Sequence, residues 1–544
     1  MPADVRDDVL RALAAIGVGG HADPELERAV GEAYRRLKRR AKARRDAASR
    51  AQDRSTLAGA TRYRDELPDP SPPAPGPSTG PPSVPLPGPP PVPLPGPPSA
   101  PLPDPSSPLG SAPGSDPGSG PDAGGEAGPG RPLNRVRRCY VCKQPYRRVD
   151  ADYHQLCPEC ADTNRLRREA RCDLRGRRAI VTGGRIKIGF HTALKLLRDG
   201  ADVLVTTRFP RDAARRYAAL ADAADWSHRL HVHGVDLLRL DEVTQLVATV
   251  GDRWTHLDIL VNNAAQTVHR PPAYYREVRE AEREPLRGAA ARIALTSSGP
   301  AGRAGTARPP LGLDALLPAG TVAPSPFPAG VTDPFPFPVG AADAAPWPTV
   351  RVDDAVLFSA GRLDELALFP AGRLDETGQP LDLRRVNSWT LRDGDVTPYE
   401  WLEVHVVNAF APFLLTSRLR PLLAASPHPD RYVVQVTAME GRYTHATKTP
   451  RHPHTNMAKA SLNMLTRTVA GDYARDGIFM NSVDTGWVTD ERPHPHKAAQ
   501  RENGFRPPLD VIDGAARVYD PIVRGIGGAP VHGQFLKDYR SVEW

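Results

Sequence analysis

The sequence predicts an α/β protein, a doubly wound parallel sheet preceded by a helical segment, a proline-rich linker and a small cysteine module. Three observations carry that reading. From about Leu174 onward, short apolar runs alternate with helix-like stretches, the texture of strands covered on both faces by helical crossovers. Of the 61 prolines, 26 lie between Pro68 and Pro132, so the excess marks one spacer and leaves the rest of the 544 residues close to ordinary composition. Four of the five cysteines stand in two tight pairs, which is metal-site spacing and not a secreted disulfide framework.

Taken in order, residues 1–66 read as helical. Asp23 before Pro24 suits a helix start, and Leu26, Val30, Tyr34 and Leu37 form an apolar stripe at spacings of three and four. Arg35 to Arg45 is strongly basic, either a solvated face or a surface for an acidic partner. Residues 67–134 are the linker, with Val-Pro-Leu-Pro-Gly-Pro-Pro starting at Val84 and again at Val92. Proline fixes φ and removes donors, so a semi-rigid polyproline spacer is expected. Residues 135–172 form the cysteine module. From 173 to 544 the α/β pattern runs through Arg178 to Val181, Asp202 to Thr206, Leu230 to Val235 and Leu257 to Val261. It breaks at about 267–395, a Pro-, Ala- and Gly-rich stretch with Ala-Gly-Arg-Leu-Asp-Glu at Ala360 and again at Ala371, read as a surface insertion. Without it about 243 residues remain, the size of one α/β domain.

The net charge of +8 is modest for this length, and only 9 of the 71 basic residues are lysine. That bias says little about nucleic-acid binding, which the charge alone does not require. No stretch reaches the roughly 18 apolar residues of a membrane helix, and the first twenty residues carry charges, so no membrane association and a cytoplasmic location are expected.

Cys139-x-x-Cys142 and Cys157-x-x-Cys160 are two knuckles able to close a tetrahedral thiolate site around structural zinc. Four thiolates leave no open position, so such a metal would stabilise a fold and take no part in catalysis. His154 is a spare ligand or a surface residue, and Cys172 stands outside the pattern. Arg137, Arg138, Arg147, Arg148, Arg165, Arg167 and Arg168 could bind phosphates, so nucleic acid stays open as a partner.

The run ending at Val181 leads into Thr182-Gly183-Gly184-Arg185-Ile186-Lys187-Ile188-Gly189 and then a helix. Glycines in such a turn let the backbone approach a pyrophosphate at the positive end of the helix. Asp236 follows the third strand, and Asn262-Asn263-Ala264-Ala265 ends the fourth. With Asn408, with Lys459 in Ala458-Lys-Ala-Ser, and with Asp484-Thr-Gly486-Trp487, these residues resemble the short-chain dehydrogenase/reductase family. The resemblance spans the α/β part in order and spacing.

The resemblance implies a Rossmann sheet holding NADP, with NAD the alternative, through Thr182, Gly183, Gly184, Arg185, Lys187, Ile188, Gly189, Arg208, Asp236, Asn263, Ala264, Lys459, Gly486 and Thr489. Arg208, at the end of the second strand where NAD binders carry a carboxylate, favours the 2′-phosphate. Lys187 takes the place of the family's middle glycine. Of the catalytic set, Asn408 and Lys459 are kept. Ala438, after Thr437, takes the serine place, and Thr455 takes the place of tyrosine four residues before Lys459. An aliphatic hydroxyl is a far weaker acid than a phenol of pKa about 10, so His454, His452, Tyr443 and Glu440 are the replacement candidates.

Two readings follow. One is an NADP(H)-dependent oxidoreductase with a non-standard proton donor, acting on a small-molecule carbonyl or alcohol. The other is a catalytically degenerate NAD(P)-binding protein with a regulatory, scaffold or nucleic-acid-associated role through its zinc module. The helices near Leu402 and Lys459 resemble those the family uses to form dimers and tetramers, so a homo-oligomer is expected.

Overall fold

Proline and capping signals set the helix starts. The computed structural model describes residues 24–62, 130–298, 367–444 and 448–544, together with Asp8, Leu10 and Arg11. Most of the proline-rich linker and the repeat that opens at Ala360 lie outside the described residues. Helix α1 (Pro24–Ala58) begins at the expected proline, whose fixed φ suits a first helical turn. Its last turns are tied down by Asp53, which accepts from the backbone amides of Asn134 (2.8 Å) and Arg135 (3.1 Å). Its first half is exposed. Tyr34 and Leu37 are 64% and 63% exposed, so that part of the expected apolar stripe covers no core among the described residues. The side chain of Leu26 is not among those described.

The cysteine module is an antiparallel ribbon, β1 (Arg131–Arg138) and β2 (Pro145–Val149), followed by helix α2 (Pro158–Glu169). Pairing of Arg131 with Val149 draws residues 131–134 into the ribbon, so the linker gives way to folded chain earlier than its composition suggests. The module shares one apolar core with the rest: Ala60, Leu133, Tyr153 and Leu156 pack with Val488 and Leu509. Two of the arginines read as phosphate ligands are spent on this contact, Arg168 on Asp510 and Asp513 and Arg167 on Asp520. A third, Arg165, pairs with Asp150 inside the module.

The sheet follows, with β3 (Arg178–Thr182), helix α3 (Lys187–Arg198), β4 (Asp202–Thr207), helix α4 (Pro210–Ala218), β5 (Leu230–Gly234), helix α5 (Leu240–Arg253) and β6 (Ile259–Asn262). Next come a 3-10 turn (Pro272–Tyr275), helix α6 (Arg276–Arg283) and β7 (Ala294–Ser297). The chain continues with helices α7 (Pro398–His405) and α8 (Ala411–Ala424), β8 (Arg431–Thr437), helix α9 (Pro453–Arg475) and β9 (Ile478–Asp484). Helices α10 (His494–Glu502) and α11 (Val511–Ile526) and the closing hairpin β10 (Phe535–Lys537) and β11 (Arg540–Val542) complete it. The strand order is β11-β10-β9-β8-β6-β3-β4-β5-β7, parallel except for β11. Alternate residues serve opposite faces, as the twofold period of a strand requires. Val203 and Val205 join α3, α4 and α11, whereas Leu204 joins α5, α8 and α9. At roughly 1.5–3 kcal/mol for each fully buried Val or Leu, these two layers dominate the stability.

The interval 267–395 is not wholly an excursion. Strand β7 lies within it and adds a parallel strand beside β5. Two histidines stitch it in place: His231 and His233 both bond Thr296 Oγ1 (2.6 and 2.7 Å), and His233 also reaches Ser298 Oγ (2.7 Å). Burial pushes both imidazoles down to about 4, so they stay neutral and able to accept at neutral pH.

Candidate functional site

The carboxyl ends of β3 and β6 are locked to each other. Thr182 Oγ1 accepts from the amides of Asn263 and Ala264 (3.0 Å each), and Asn263 Nδ2 donates to the carbonyls of Thr182 (3.0 Å) and Gly183 (3.3 Å). Gly183 has φ +68°, and a Cβ there would stand 2.9 Å from Ala264 Cα. At Gly189 it would meet Asn263 Nδ2 at 2.4 Å. The glycines are thus demanded by the contact between the turn and β6. Gly184, Ile186 and Ile188 complete the turn, and the first turn of α3 carries no acidic residue and no side-chain cap.

Lys187 stands in this turn at φ +52°, the left-handed region, at a cost of order 1–2 kcal/mol for a residue with a side chain. Its ammonium donates to Glu491 Oε1 at 3.1 Å, and the same oxygen accepts from Thr489 Oγ1 at 2.8 Å. Burial alone would raise the Glu491 carboxyl, but the charges of Lys187, Lys497 and Arg270 pull it down to about 2. Arg185 donates to Asp212 (2.7 Å) and to Gln379 Oε1 (2.9 Å) and lies over the Phe209 ring. Arg208 donates to Tyr275 Oη (2.8 Å) with its guanidinium over the ring. Asp236 caps the start of its loop, accepting from the Leu238 amide. Each expected cation of the turn is therefore partnered within the chain.

At the other end, Asn408 sits in a π-helical turn (Val406–Phe410) between α7 and α8, a local widening that is frequent at functional positions. It is buried, accepting from the Gln266 amide (2.6 Å) and donating to the Gln266 carbonyl (2.9 Å). Lys459 donates to the Val436 carbonyl (2.9 Å). Burial pushes its amine down to about 8, opposed only by Glu440. Thr455 lies one turn earlier on α9, buried, its hydroxyl without a partner. Beside it His454 is fully buried. Neither ring nitrogen makes a hydrogen bond, and the nearest charge is Glu400 Oε1 at 3.5 Å, itself without a hydrogen bond. His452 stacks on Trp389 at 4.2 Å and is pushed down to about 4 by burial.

Tyr443, expected as a substitute phenol, is 73% exposed and is set aside on that ground. Glu440 is raised by burial. Gly486 and Trp487 follow β9, where the Trp487 amide donates to Tyr140 Oη of the cysteine module (2.9 Å). Glu491, Gln379, Glu400 and Tyr140 had no sequence signal, because each matters through a partner distant in the chain.

The four cysteine sulfurs of Cys139, Cys142, Cys157 and Cys160 lie within 4.8 Å of one another. Tetrahedral zinc with bonds of about 2.3 Å would set them roughly 3.8 Å apart, so the donor set fits that ion. His154 does not join them. It is buried, with Nε2 3.2 Å from the Arg506 carbonyl, and burial pushes it down to about 4. Cys172 lies apart, against Tyr519 Oη. Among the described residues no helix is long and apolar enough to cross a membrane.

Two family descriptions match the chain: short chain dehydrogenase over residues 177–283, and Enoyl-(Acyl carrier protein) reductase over residues 389–503. An uncharacterized protein of Acanthamoeba polyphaga mimivirus is 31% identical over 405 residues, 71% of each chain. A probable oxidoreductase of Streptomyces lividans is 38% identical over 93 residues, 17% of this chain and 29% of that one. Retinol dehydrogenase 13 of Homo sapiens is 32% identical over 91 residues, 16% and 27% of the two chains. Among solved structures, a short chain dehydrogenase from Burkholderia cenocepacia in complex with NADP is 18% identical with a TM-score of 0.38, covering 67% of this chain and 97% of that one. An NADPH-bound carbonyl reductase from chicken fatty liver is 16% identical with a TM-score of 0.38, covering 68% and 100%.

Proposed function

The chain belongs to the short-chain dehydrogenase/reductase family, and we propose that it is an NADP(H)-dependent oxidoreductase whose proton donor is not a phenol. The dinucleotide would be held by the glycine turn, Arg185, Lys187, Arg208, Asn263 and Thr489, and when bound it supplies or accepts a hydride. Substrates are small carbonyl compounds or alcohols. The observation that carries the proposal is the first turn of α9, where buried Thr455 and His454, with Glu400 of α7 against the imidazole, hold polar atoms without a hydrogen-bond partner among the described residues, one turn from a buried lysine. Such atoms cost about 1–3 kcal/mol each when unmatched, a cost that a substrate oxygen would relieve.

In this reading the Thr455 hydroxyl orients the substrate oxygen and His454 carries the proton, with Glu400 holding the imidazole. The Lys459 ammonium, easier to deprotonate than an exposed lysine, stabilises negative charge on that oxygen, and Asn408 fixes the Gln266 backbone beside it. The exposed apolar side chains of Phe410, Phe413, Met457 and Met464 on α8, α9 and the turn before α8 support a homo-oligomer. Free cysteines support a reducing, cytoplasmic setting, and zinc in the four-cysteine site would be structural.

The test is stopped-flow fluorescence of NADPH with a panel of aldehydes, ketones and quinones. Wild type should oxidise the nucleotide with at least one of them, Lys459→Ala should lose at least about 100-fold in kcat with binding retained, and His454→Ala should lose at least about 10-fold. If wild type binds the nucleotide and oxidises it with none, the chemistry is wrong.

A second reading rests on one observation: Arg35, Arg39, Arg40, Lys42, Arg44 and Arg45 are exposed on α1 and form no ion pair among the described residues. A non-catalytic role through a polyanion would use that surface. Retention of the full chain on immobilised duplex DNA at low salt, falling steeply as salt rises, would favour it.

A further inference from the structure

We propose that the crevice above the glycine turn is closed by the chain itself: Glu491 is the resident anion of the phosphate-binding donors, and residues 379–391 hold it in place. This rests on the dinucleotide reading above and adds what must leave before the ligand enters.

A lysine in the left-handed region, where a glycine would be free of strain, makes physical sense only if its ammonium gains a partner there. That partner is already present. Glu491 takes both Lys187 and Thr489, two of the residues expected to hold the cofactor, and its carboxylate stays ionised at any physiological pH. Two anions cannot share one half-buried ammonium without repulsion, so an incoming pyrophosphate and the Glu491 carboxylate compete for the same donors.

The segment from Gln379 to Leu391 pins this arrangement from three sides. Gln379 Oε1 accepts a hydrogen bond from the Arg185 guanidinium (2.9 Å), at the glycine turn. Asn387 Nδ2 donates to the Glu491 carbonyl (2.9 Å), at the loop beyond β9. The Leu391 carbonyl accepts from the His452 amide (2.8 Å), at the start of α9. Gln379, Asn387 and Ser388 are 6%, 4% and 3% exposed, so the strap is anchored by three buried polar side chains, while Arg385 and Val386 between them face outward. Between Gln379 and Asn387, the Asp382 carboxylate pairs with Arg270 and Arg384 and its carbonyl accepts from the His494 amide. Three contacts of one strap thus bridge the places that bind phosphate, nicotinamide and substrate in the proposed enzyme. Opening it must precede binding, and a ligand without phosphate has nothing to offer the displaced donors.

Fluorescence titration and stopped-flow mixing with NADPH test this on the full chain, comparing wild type, Glu491→Gln and Gln379→Ala, each checked for folding by circular dichroism. Glu491→Gln should bind at least 10-fold tighter, mainly through faster association, and Gln379→Ala a few-fold tighter. Inorganic pyrophosphate should raise the melting temperature of Glu491→Gln by more than that of wild type. If wild type binds NADPH but Glu491→Gln binds equally or more weakly, Glu491 is a ligand of the bound cofactor, the proposal falls and the enzyme reading stands. If neither protein binds NADPH, the dinucleotide reading falls. Stronger protection of the variant by pyrophosphate would then still support the anion exchange, and equal or no protection would overturn it. Should Glu491→Gln fail to fold, Gln379→Ala decides by the same comparison.

Discussion

The two ends of the crevice are built on opposite terms. At the glycine turn every cation has an internal partner: Arg185 has Asp212 and Gln379, Lys187 has Glu491, and Arg208 has Tyr275. At the start of α9 the reverse holds, with Thr455, His454 and the facing Glu400 buried and holding polar atoms that have no hydrogen bond among the described residues. The difference teaches that one end is at rest without a ligand and the other is not. Substitutions should therefore cost stability at the first end and gain it at the second.

The sharpest break of that contrast is Lys187→Gly. It restores the residue that the turn geometry favours, yet it leaves the half-buried Glu491 carboxylate without its ammonium. With side chains 29% and 17% exposed, breaking the pair from one side costs at most the about 3–5 kcal/mol of a fully buried pair, against order 1–2 kcal/mol of relieved strain, so a net loss of up to about 2–3 kcal/mol is expected in urea unfolding. Adding Glu491→Ala should return most of it. If Lys187→Gly alone is stabilising, the glycine turn is not held by this pair.

Lys459 provides the second test. Its folded amine titrates at about 8 and its unfolded amine near 10.5, so the folded state holds fewer protons between those values. Stability must then rise as pH climbs from about 8 to about 10.5, by up to about 3 kcal/mol from this group, with no contribution to slope below 8. Lys459→Met should flatten that interval of the denaturation profile. An unchanged slope would mean that the amine is not desolvated.

The smallest effect is expected from Thr455→Val, which removes an unpartnered hydroxyl while keeping the shape. It should stabilise by about 1 kcal/mol, read as a higher midpoint of unfolding, while impairing turnover. A destabilised variant would mean that the hydroxyl has a partner after all.

Much of this fold could be read from local pattern. The apolar runs at β3, β4, β5 and β6 announce strands buried on two faces, and the cysteine spacing announces the cluster that the four sulfurs form. Strand β7 could not be read so, because Ala294–Ser297 is short and polar and is held by histidines some 63 to 65 residues earlier. The same limit applies in the site. Gly183, Asn408 and Lys459 lie in recognisable local settings, whereas the meaning of Lys187 depends on Glu491, 304 residues away. Burial likewise cannot be read from residue type alone: His454 and Tyr443 looked equivalent as acids, and one is sealed while the other is on the surface. Arg167 and Arg168 looked like phosphate ligands until their carboxylate partners on α11 and its cap came into view.

Strand β7 has one more consequence. The described chain runs to Ser298 at the rim of the sheet and resumes at Ala367, two residues before Phe369, whose ring meets Tyr274. Both ends are held by described parts of the domain, and the entropy of closing a span between fixed ends grows only with the logarithm of its length, about 0.6 kcal/mol for each doubling. Extra length between these two ends should therefore disturb the sheet little.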